Sequence, residues 1–184
     1  MRMTGLILLA ALAAPAANAV EYRTVLPKQS TIHFEFRQMG VPIKGGFKRF
    51  TTQMVFDPVR PEAARAQIEI DLASIDAGSP EADDESAGKL WFNRSIYPKA
   101  TFVSSQVRAL GNNRYEMRGT LTLKGKSRDM VVPVTFAPGK NAATFDGAFV
   151  LRRLDFGIGE GMWADVATVA NEVQVRFRIA ATGN

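Results

Sequence analysis

The chain of 184 residues has no cysteine and only one histidine, His33. The lack of cysteine excludes a disulfide scaffold, a cysteine nucleophile and acylation as a lipoprotein. A Ser-His-Asp site would have to use His33, which no serine elbow accompanies, and one histidine cannot supply a zinc site. Carboxylate pairs such as Asp155 with Glu160 remain an unspecific alternative for acid–base chemistry. We therefore predict no catalytic residue, no metal site and no cofactor.

Long hydrophobic runs are also missing, apart from one at the N-terminus. Residues 1–19, "MRMTGLILLAALAAPAANA", carry a positive charge at Arg2, an apolar run from Leu6 to Ala14 and the small-residue triplet before Val20. This pattern predicts a secretory signal peptide that is cleaved after Ala19. The run is much shorter than the roughly 20 residues that span a bilayer. We expect residues 20–184 to form one exported domain.

The charge pattern makes nucleic acid an unexpected partner. The formal net charge is +5, but the basic residues are spread along the chain, apart from "KGKSR" at residues 124–128. A nucleic-acid interface needs a denser basic stripe. A mild positive excess favours contact with anionic lipid surfaces, and it is equally typical of a soluble protein.

Period-two alternation of apolar and polar residues dominates the remainder of the chain. In "TIHFEFR", Ile32, Phe34 and Phe36 alternate with polar residues that include His33. Since successive side chains of a strand point to opposite faces, we expect the two phenylalanines to face the interior and His33 to face solvent. The pattern recurs in segments 66–72, 114–124, 144–151 and 172–179. Turn residues at 111–113, Gly125 and 138–141 separate the strands, which predicts antiparallel pairing.

One segment, "SPEADDESAGKLW", departs from this alternation. Ser79 is a suitable N-cap and Pro80 occupies the first helical position, so we predict a short helix within Ser79–Trp91. The acidic residues of its first turns complement the positive end of a helix dipole. We prefer this interpretation to a cation site.

Eight or nine strands with one apolar face each predict an up-and-down barrel or a sandwich. A barrel of about eight strands is filled by its own side chains or holds one small ligand. Gly45, Gly119 and Gly147 lie on the apolar faces. They are compatible with an open cavity, and equally with bends and bulges.

Five segments resemble consecutive stretches of a known family. "FRQMGVPIKGGFKRF", "IDLASIDAG", "YPKATFVSSQV", "GTLTLKGKSRDMVVPVTF" and "RRLDFGI" are similar, in order and spacing, to the YceI-like family of exported lipid-binding proteins. The resemblance runs from about Gln29 to Ile179. It implies an all-β fold, an antiparallel eight-stranded lipocalin-like barrel with one or two short helices.

The resemblance also implies a function. The protein would be a periplasmic carrier or reservoir, not an enzyme, that binds a polyisoprenoid lipid of the isoprenoid quinone or prenyl pyrophosphate type inside the barrel. The alternatives are an accessory protein or enzyme that acts on a bound quinone in electron transfer or stress response, and a ligand-free barrel that binds proteins. Transient contact with a membrane surface and homodimerisation stay open.

By alternation, twelve apolar residues are candidates for the ligand-binding surface. They are Phe34, Phe36, Ile43, Phe47, Ile70, Trp91, Phe92, Phe102, Met117, Leu121, Phe145 and Phe149. Trp91 and Phe92 follow the predicted helix and are expected to close one end of the channel. The chain departs from the family pattern at Gln38 and Lys124, where many members carry histidine, and at Asn93, where an acidic residue is usual.

Overall fold

A computed structural model describes residues 20–183 as a single curled antiparallel sheet with one α-helix. The predicted signal peptide lies outside the described residues. Within residues 20–183, no helix has the length and apolar character needed to cross a membrane. The all-β class and the antiparallel pairing of neighbouring strands are confirmed.

Eleven strands form the sheet in this part of the chain. They are β1 (Tyr22–Val25), β2 (Thr31–Gln38), β3 (Val41–Phe47), β4 (Phe50–Val55), β5 (Arg65–Asp71), β6 (Ile75–Asp76), β7 (Lys99–Gly111), β8 (Arg114–Leu123), β9 (Lys126–Ala137), β10 (Ala143–Arg152) and β11 (Glu172–Gly183). The order across the sheet is β4-β5-β7-β8-β9-β10-β11-β2-β3-β6, and β1 also pairs with β11.

The predicted count of eight strands is too low. The additional strands include β1, with four residues, and β6, with two. Alternation becomes recognisable over about four to eight residues. Strands this short therefore leave no clear signal, and they form because longer neighbours supply their hydrogen bonds.

Two-residue turns join the strands of three hairpins. Both central residues have positive φ in Met39–Gly40, Asn112–Asn113 and Lys124–Gly125. This geometry matches the twist of the flanking strands, and asparagine and glycine adopt it most readily. The predicted turns at 111–113 and Gly125 are confirmed. Sequence reasoning missed the turn at Met39, because methionine is uncommon at positive φ.

The barrel closes fully at one end only. The C-terminal part of β11 pairs with β1, and the part nearer its N-terminus pairs with β2. The 3₁₀ helix Pro27–Gln29 lies between β1 and β2, where the chain turns from one pairing to the other. Tyr22 then bridges to Phe56 through two backbone hydrogen bonds of 2.8 and 3.1 Å. Above this bridge β4 and β3 are not paired in the described chain. The sheet is therefore a half-barrel with a gap in its wall.

The predicted helix is present as α1 (Pro80–Ala87). The Ser79 hydroxyl caps it by accepting from the Ala82 N–H at 3.2 Å. The helix ends at Ala87, as expected from the glycine that follows, because Gly88 is in an extended conformation. Two of its acidic residues make structural bonds, since Asp83 accepts from the Ala77 N–H and Glu85 from the Trp163 indole.

Apolar side chains fill the closed end of the barrel. Five aromatic rings, with neighbouring centroids 5.0 to 6.5 Å apart, form an aromatic plug there. The plug consists of Tyr22, Phe56, Tyr115, Phe136 and Phe145. Burial raises the pKa of Tyr115. A second buried group, the upper cluster, lies toward the other end and comprises Leu72, Ala100, Leu121, Leu123, Phe156 and Ile158.

The three inward-facing glycines provide room for phenylalanine rings. A Cβ atom at Gly45 would collide with the ring of Phe34, and one at Gly147 with the ring of Phe177. Gly119 is covered by Phe102 in the same way. These glycines therefore let large rings lie flat against the adjacent strand, and they do not mark open space by themselves.

We expect Gly147→Ala to destabilise the fold by about 1–3 kcal/mol, the usual cost of overpacking a core. The new methyl group would displace the Phe177 ring, which contributes all three of its closest contacts. Chemical denaturation measures the change. The double variant with Phe177→Leu should recover part of the loss, whereas strictly additive effects would contradict this explanation.

Candidate ligand-binding site

The predicted ligand residues occupy three environments. Phe47, Ile70, Trp91, Phe92, Phe102 and Leu121 belong to or pack against the upper cluster. The plug belongs to a larger buried group that also includes Val107, Val132, Val134 and Ile179. Met117, Phe145 and Phe149 belong to or pack against this group around the plug, and Phe102 also contacts it. Phe34, Phe36 and Ile43 belong to neither group. The alternation pattern thus combined core residues with residues outside both buried groups, although Phe34 contacts Phe47 with ring centroids 5.5 Å apart.

An apolar surface remains open on the inner face of β2, β3 and β11. We call it the open wall; it consists of Phe34, Phe36, Ile43, Val173 and Val175, all half-buried. Phe34 lies opposite Val175 on one side and Gly45 on the other, and Val175 lies opposite Phe149. The Phe34 and Phe36 ring centroids are 6.3 Å apart. Sequence reasoning noticed the alternation of Val173 and Val175 but did not select them.

Burial of the inner face increases toward the plug. Along β11 the inner side chains change from half-buried at Val173 and Val175 to buried at Ile179. Along β10 they change from half-buried at Leu151 to buried at Phe145. The inner face of β10 and β11 is therefore more exposed at the end that carries β11's first residues, which we call the mouth, than at the filled end, while Phe156 and Ile158 from the loop at the mouth are buried in the upper cluster.

The filled end leaves only a small internal cavity. Its volume is about 60 Å³, and its lining includes Thr52, Met54, Met117 and Phe177. This is room for about two water molecules at 30 Å³ each. The predicted channel therefore does not run freely through the barrel, and a ligand reaches Phe145 only if plug residues move.

Two polar atoms inside the barrel lack partners. The Thr52 hydroxyl and the Trp91 indole N–H are buried and have no hydrogen-bond partner within residues 20–183. An unsatisfied buried donor costs about 1–3 kcal/mol. A ligand oxygen that accepts from either group would remove that penalty, so the interior suits an apolar molecule with an acceptor.

Residues 153–171 form a loop at the mouth, which we call the mouth loop, and the buried side chain of Arg153 holds it together. Arg153 is only 2% exposed, and its guanidinium donates five hydrogen bonds, all to backbone carbonyls. The acceptors are Ala170 (3.0 Å), Ile158 (2.8 Å), Gly159 (2.9 Å), Trp163 (2.7 Å) and Val169 (2.6 Å). Burial lowers the pKa of Arg153. Sequence reasoning missed Arg153, although it continues the inward phase of Phe149 and Leu151 and its exposed neighbour Arg152 does not.

The two tryptophans lie together at the mouth. Their ring centroids are 5.5 Å apart, and the Arg153 guanidinium lies 5.8 Å from the Trp91 ring centroid. The Trp163 indole donates to Glu85 at 3.0 Å, which connects the loop to α1. Trp91 thus lies at one end of the barrel, although its role toward a ligand stays a prediction.

The residues that depart from the family pattern make structural contacts. The Lys124 ammonium donates to the Gly157 carbonyl at 2.6 Å and to Glu160 at 2.9 Å, and this pairing lowers the pKa of Glu160. Gln38 bridges the backbone of Val169, and Asn93 adopts positive φ in the turn after α1. Lys124 and Glu160 are therefore engaged with each other and the mouth loop.

His33 lies on the outer face, as predicted. It is exposed, opposite Gly46 on one neighbouring strand and Arg176 on the other. Within residues 20–183, no group of three or more histidine, aspartate or glutamate side chains is arranged to hold a metal ion. Phe34 and Phe36 face the interior from the same strand that carries His33.

Comparisons with known proteins agree with this architecture. A UPF0312 protein of Vibrio cholerae is 30% identical over 170 residues, which cover 86% of this chain and 90% of that protein. The crystal structure of BcnA from Burkholderia cenocepacia has a TM-score of 0.83 and 43% identity, covering 86% of this chain and 99% of BcnA. A polyisoprenoid-binding domain from Saccharophagus degradans shares the fold, with a TM-score of 0.69 at 13% identity, covering 91% of this chain and all of that domain.

The family model of the YceI-like domain matches residues 24–181. This range includes the open wall, the aromatic plug except Tyr22, and the mouth loop. The resemblance found in five sequence segments is thereby confirmed across nearly the whole described chain. The chain belongs to the YceI-like family.

Proposed function

We propose that this protein is an exported carrier or reservoir that binds a polyisoprenoid lipid in its apolar interior. The observation that carries the proposal is the open wall, where Phe34, Phe36 and Ile43 face the interior without joining either buried cluster. Apolar side chains of this kind are normally covered, and a hydrocarbon chain would cover them. The fold shared with a polyisoprenoid-binding domain supports the same ligand class.

Burial of a hydrocarbon chain supplies enough free energy for binding. At about 0.8 kcal/mol per methylene, ten carbons contribute about 8 kcal/mol before the cost of ordering the chain. The existing cavity of about 60 Å³ is too small for ten carbons. Met54, Met117 and Met130 border the interior, and their flexible side chains can move to enlarge it.

The polar contacts favour a quinone-type head group over a pyrophosphate. The Trp91 indole N–H is a free neutral donor, which suits a ligand carbonyl. Lys124, which hydrogen-bonds to the mouth loop, is only 9% exposed at its side chain and is already paired with Glu160. A pyrophosphate bound at Lys124 would have to break that ion pair.

Mass spectrometry of organic extracts from the purified full-length protein tests the proposal. We expect a co-purifying polyprenyl species, absent from extracts of a similarly purified unrelated protein. A consistently empty protein that also fails to bind added isoprenoid quinone would overturn the proposal. Turnover of bound quinone by an added reductant would instead support the alternative role in electron transfer.

We extend the proposal to export and to contact with membranes. The N-terminal pattern supports cleavage after Ala19 and a periplasmic location. Met39 and Met162, exposed at 74% and 76%, lie in the β2–β3 turn and the mouth loop, which a hydrogen bond from the Met39 N–H to Thr168 joins. Apolar tips at the mouth are suited to transient contact with a lipid surface. Homodimerisation stays a prediction.

A further inference from the structure

The gap in the barrel wall forms a pocket of its own. Its volume is about 540 Å³, and it lies between the start of β2 and the end of β3 on one side and the start of β4 on the other. We call it the lateral gap; its lining includes the apolar residues Ile32, Phe47 and Phe50 and the polar residues Thr31, His33, Thr51, Glu69 and Asp71. It is separate from the mouth, because none of these residues belongs to the mouth loop or the open wall.

The lateral gap has fixed borders. At one end, the Lys48 N–H donates to the Ser74 carbonyl at 3.0 Å and the Arg49 N–H to the Ser74 hydroxyl at 2.9 Å. At the other end, Tyr22 and Phe56 join β1 to β4. Because hydrogen bonds of the backbone hold both borders, the gap is part of the fold.

The floor of the lateral gap adjoins both buried groups. Phe47 packs against the upper cluster, whereas Phe50 packs against the buried group around the plug. Thr52, two residues beyond Phe50, lines the internal cavity and carries the unpartnered hydroxyl. The gap therefore lies where the two buried groups meet, directly outside the space that a ligand would enlarge.

Two basic residues, Lys48 and Arg49, lie at the rim of the lateral gap. Lys48 pairs with Asp76 at 3.0 Å and Arg49 with Asp71 at 2.8 Å, and all four side chains are at least 40% exposed. Exposed ion pairs contribute about 0–1 kcal/mol, so these cations can exchange partners at little cost. An anionic head group at the rim would find two adjacent cations, with the carboxylates of Glu69 and Asp71 in the same pocket.

A peptide strand fits this opening less well than a hydrocarbon chain. Only Phe50 and Thr51 of β4 line the lateral gap, which is about 7 Å of strand edge at 3.3 Å per residue. Strands added to a sheet edge commonly pair over five or six residues. The floor of Ile32, Phe47 and Phe50 offers apolar contact instead.

We propose that the lateral gap is a second entrance to the barrel, through which the apolar chain of an anionic amphiphile passes between Phe47 and Phe50 while its head group pairs with Lys48 and Arg49. The inference rests on the proposed function, because it requires an interior that accepts a hydrocarbon chain. It adds a site at the wall, distinct from the mouth, and a class of ligand, an acid with a long alkyl or prenyl chain.

A cross-link across the lateral gap tests the entrance. The chain has no native cysteine, so the variant Thr31→Cys/Thr51→Cys reacts only at these two exposed positions. Bridging them with a short bismaleimide should slow loading of dansyl-labelled undecanoic acid by about tenfold or more in stopped-flow fluorescence, since access normally limits association rates. The same variant blocked with N-ethylmaleimide should load normally.

Thr122→Cys/Ser127→Cys is the matched control, since these residues face each other on the paired strands β8 and β9. Bridging them should leave loading unchanged. Equal loading rates for bridged and blocked Thr31→Cys/Thr51→Cys would overturn the inference while leaving the proposed function intact. Failure of the unmodified protein to bind the probe while it still binds isoprenoid quinone would also overturn the inference, whereas failure to bind either ligand would refute the proposed function.

Charge reversal at the rim provides an independent measurement. Lys48→Glu/Arg49→Glu should weaken binding of dansyl-labelled undecanoic acid about tenfold, the effect of losing roughly 1.4 kcal/mol, and leave the corresponding alcohol unaffected. The control Arg114→Glu/Lys140→Glu changes two exposed basic residues elsewhere, and it should leave binding of both the acid and the alcohol unchanged. If binding of the acid and of the alcohol weakens equally, or if neither weakens, the result would contradict the assigned role of the cations. Displacement of the acid by an added peptide would favour a peptide site.

Discussion

Replacement of both Phe34 and Phe36 by serine is expected to abolish lipid retention, whereas His33→Ala is expected to leave it unchanged. The two rings lie side by side on the open wall, and His33 points to the opposite face of the same strand. Burial of a phenylalanine side chain contributes about 1.5–3 kcal/mol. Loss of both corresponds to binding weaker by roughly a hundredfold to ten-thousandfold.

The fold should survive this double replacement. Phe34 and Phe36 are half-buried and belong to neither buried cluster. Phe34 packs on Phe47, with ring centroids 5.5 Å apart, so we expect a modest loss of stability while the two clusters keep their own contacts. Titration with an isoprenoid quinone, followed by fluorescence quenching of the tryptophans, measures the affinity, and circular dichroism verifies folding. Loss of binding in His33→Ala alone, with the phenylalanine variant unaffected, would refute the assignment of the open wall.

Arg153→Met should lower the free energy of unfolding by about 4 kcal/mol. The variant keeps the apolar stem but removes donors from five carbonyls of the mouth loop. Each unsatisfied buried acceptor costs about 1–3 kcal/mol, and water entering the loop recovers part of the sum. For a chain of this size, 1 kcal/mol shifts the melting temperature by about 2–4 °C, so we expect a decrease of about 10 °C.

Arg152→Met is the matched control, because Arg152 is the preceding residue and its side chain is exposed. Thermal unfolding should show little change for it. Arg153→Lys should resemble Arg153→Met, since one ammonium group cannot reach five carbonyls in the positions of a planar guanidinium. Similar melting temperatures for the Arg152 and Arg153 variants would show that the hydrogen bonds of Arg153 do not hold the loop.

Local patterns predicted most of the individual elements. The alternation in "TIHFEFR" assigned Phe34 and His33 to opposite faces correctly, because side-chain direction in a strand depends only on position along it. Ser79 and Pro80 predicted the start of α1 correctly, because a helix cap involves neighbouring residues. Turn residues at 111–113 predicted a hairpin for the same reason.

Other features depend on contacts between distant segments. Phe145 and Phe34 show the same alternation, yet Phe145 packs in the plug and Phe34 lies on the open wall. Their difference arises from the neighbours that each meets across the barrel, such as Tyr22 for Phe145. Alternation identifies the inner face of a strand but not which end of the barrel is filled.

The amino-acid sequence by itself determined the all-β class, the inward and outward faces of the long strands, the cap of α1 and the family, since all of these follow from local pattern and order along the chain. Only the tertiary structure decided where the barrel is plugged, where its wall stays unpaired and which arginine is buried. Those features depend on β1 bridging to β4 and on the mouth loop folding around Arg153. Both arrangements join segments far apart in the chain, and no short stretch of residues encodes them.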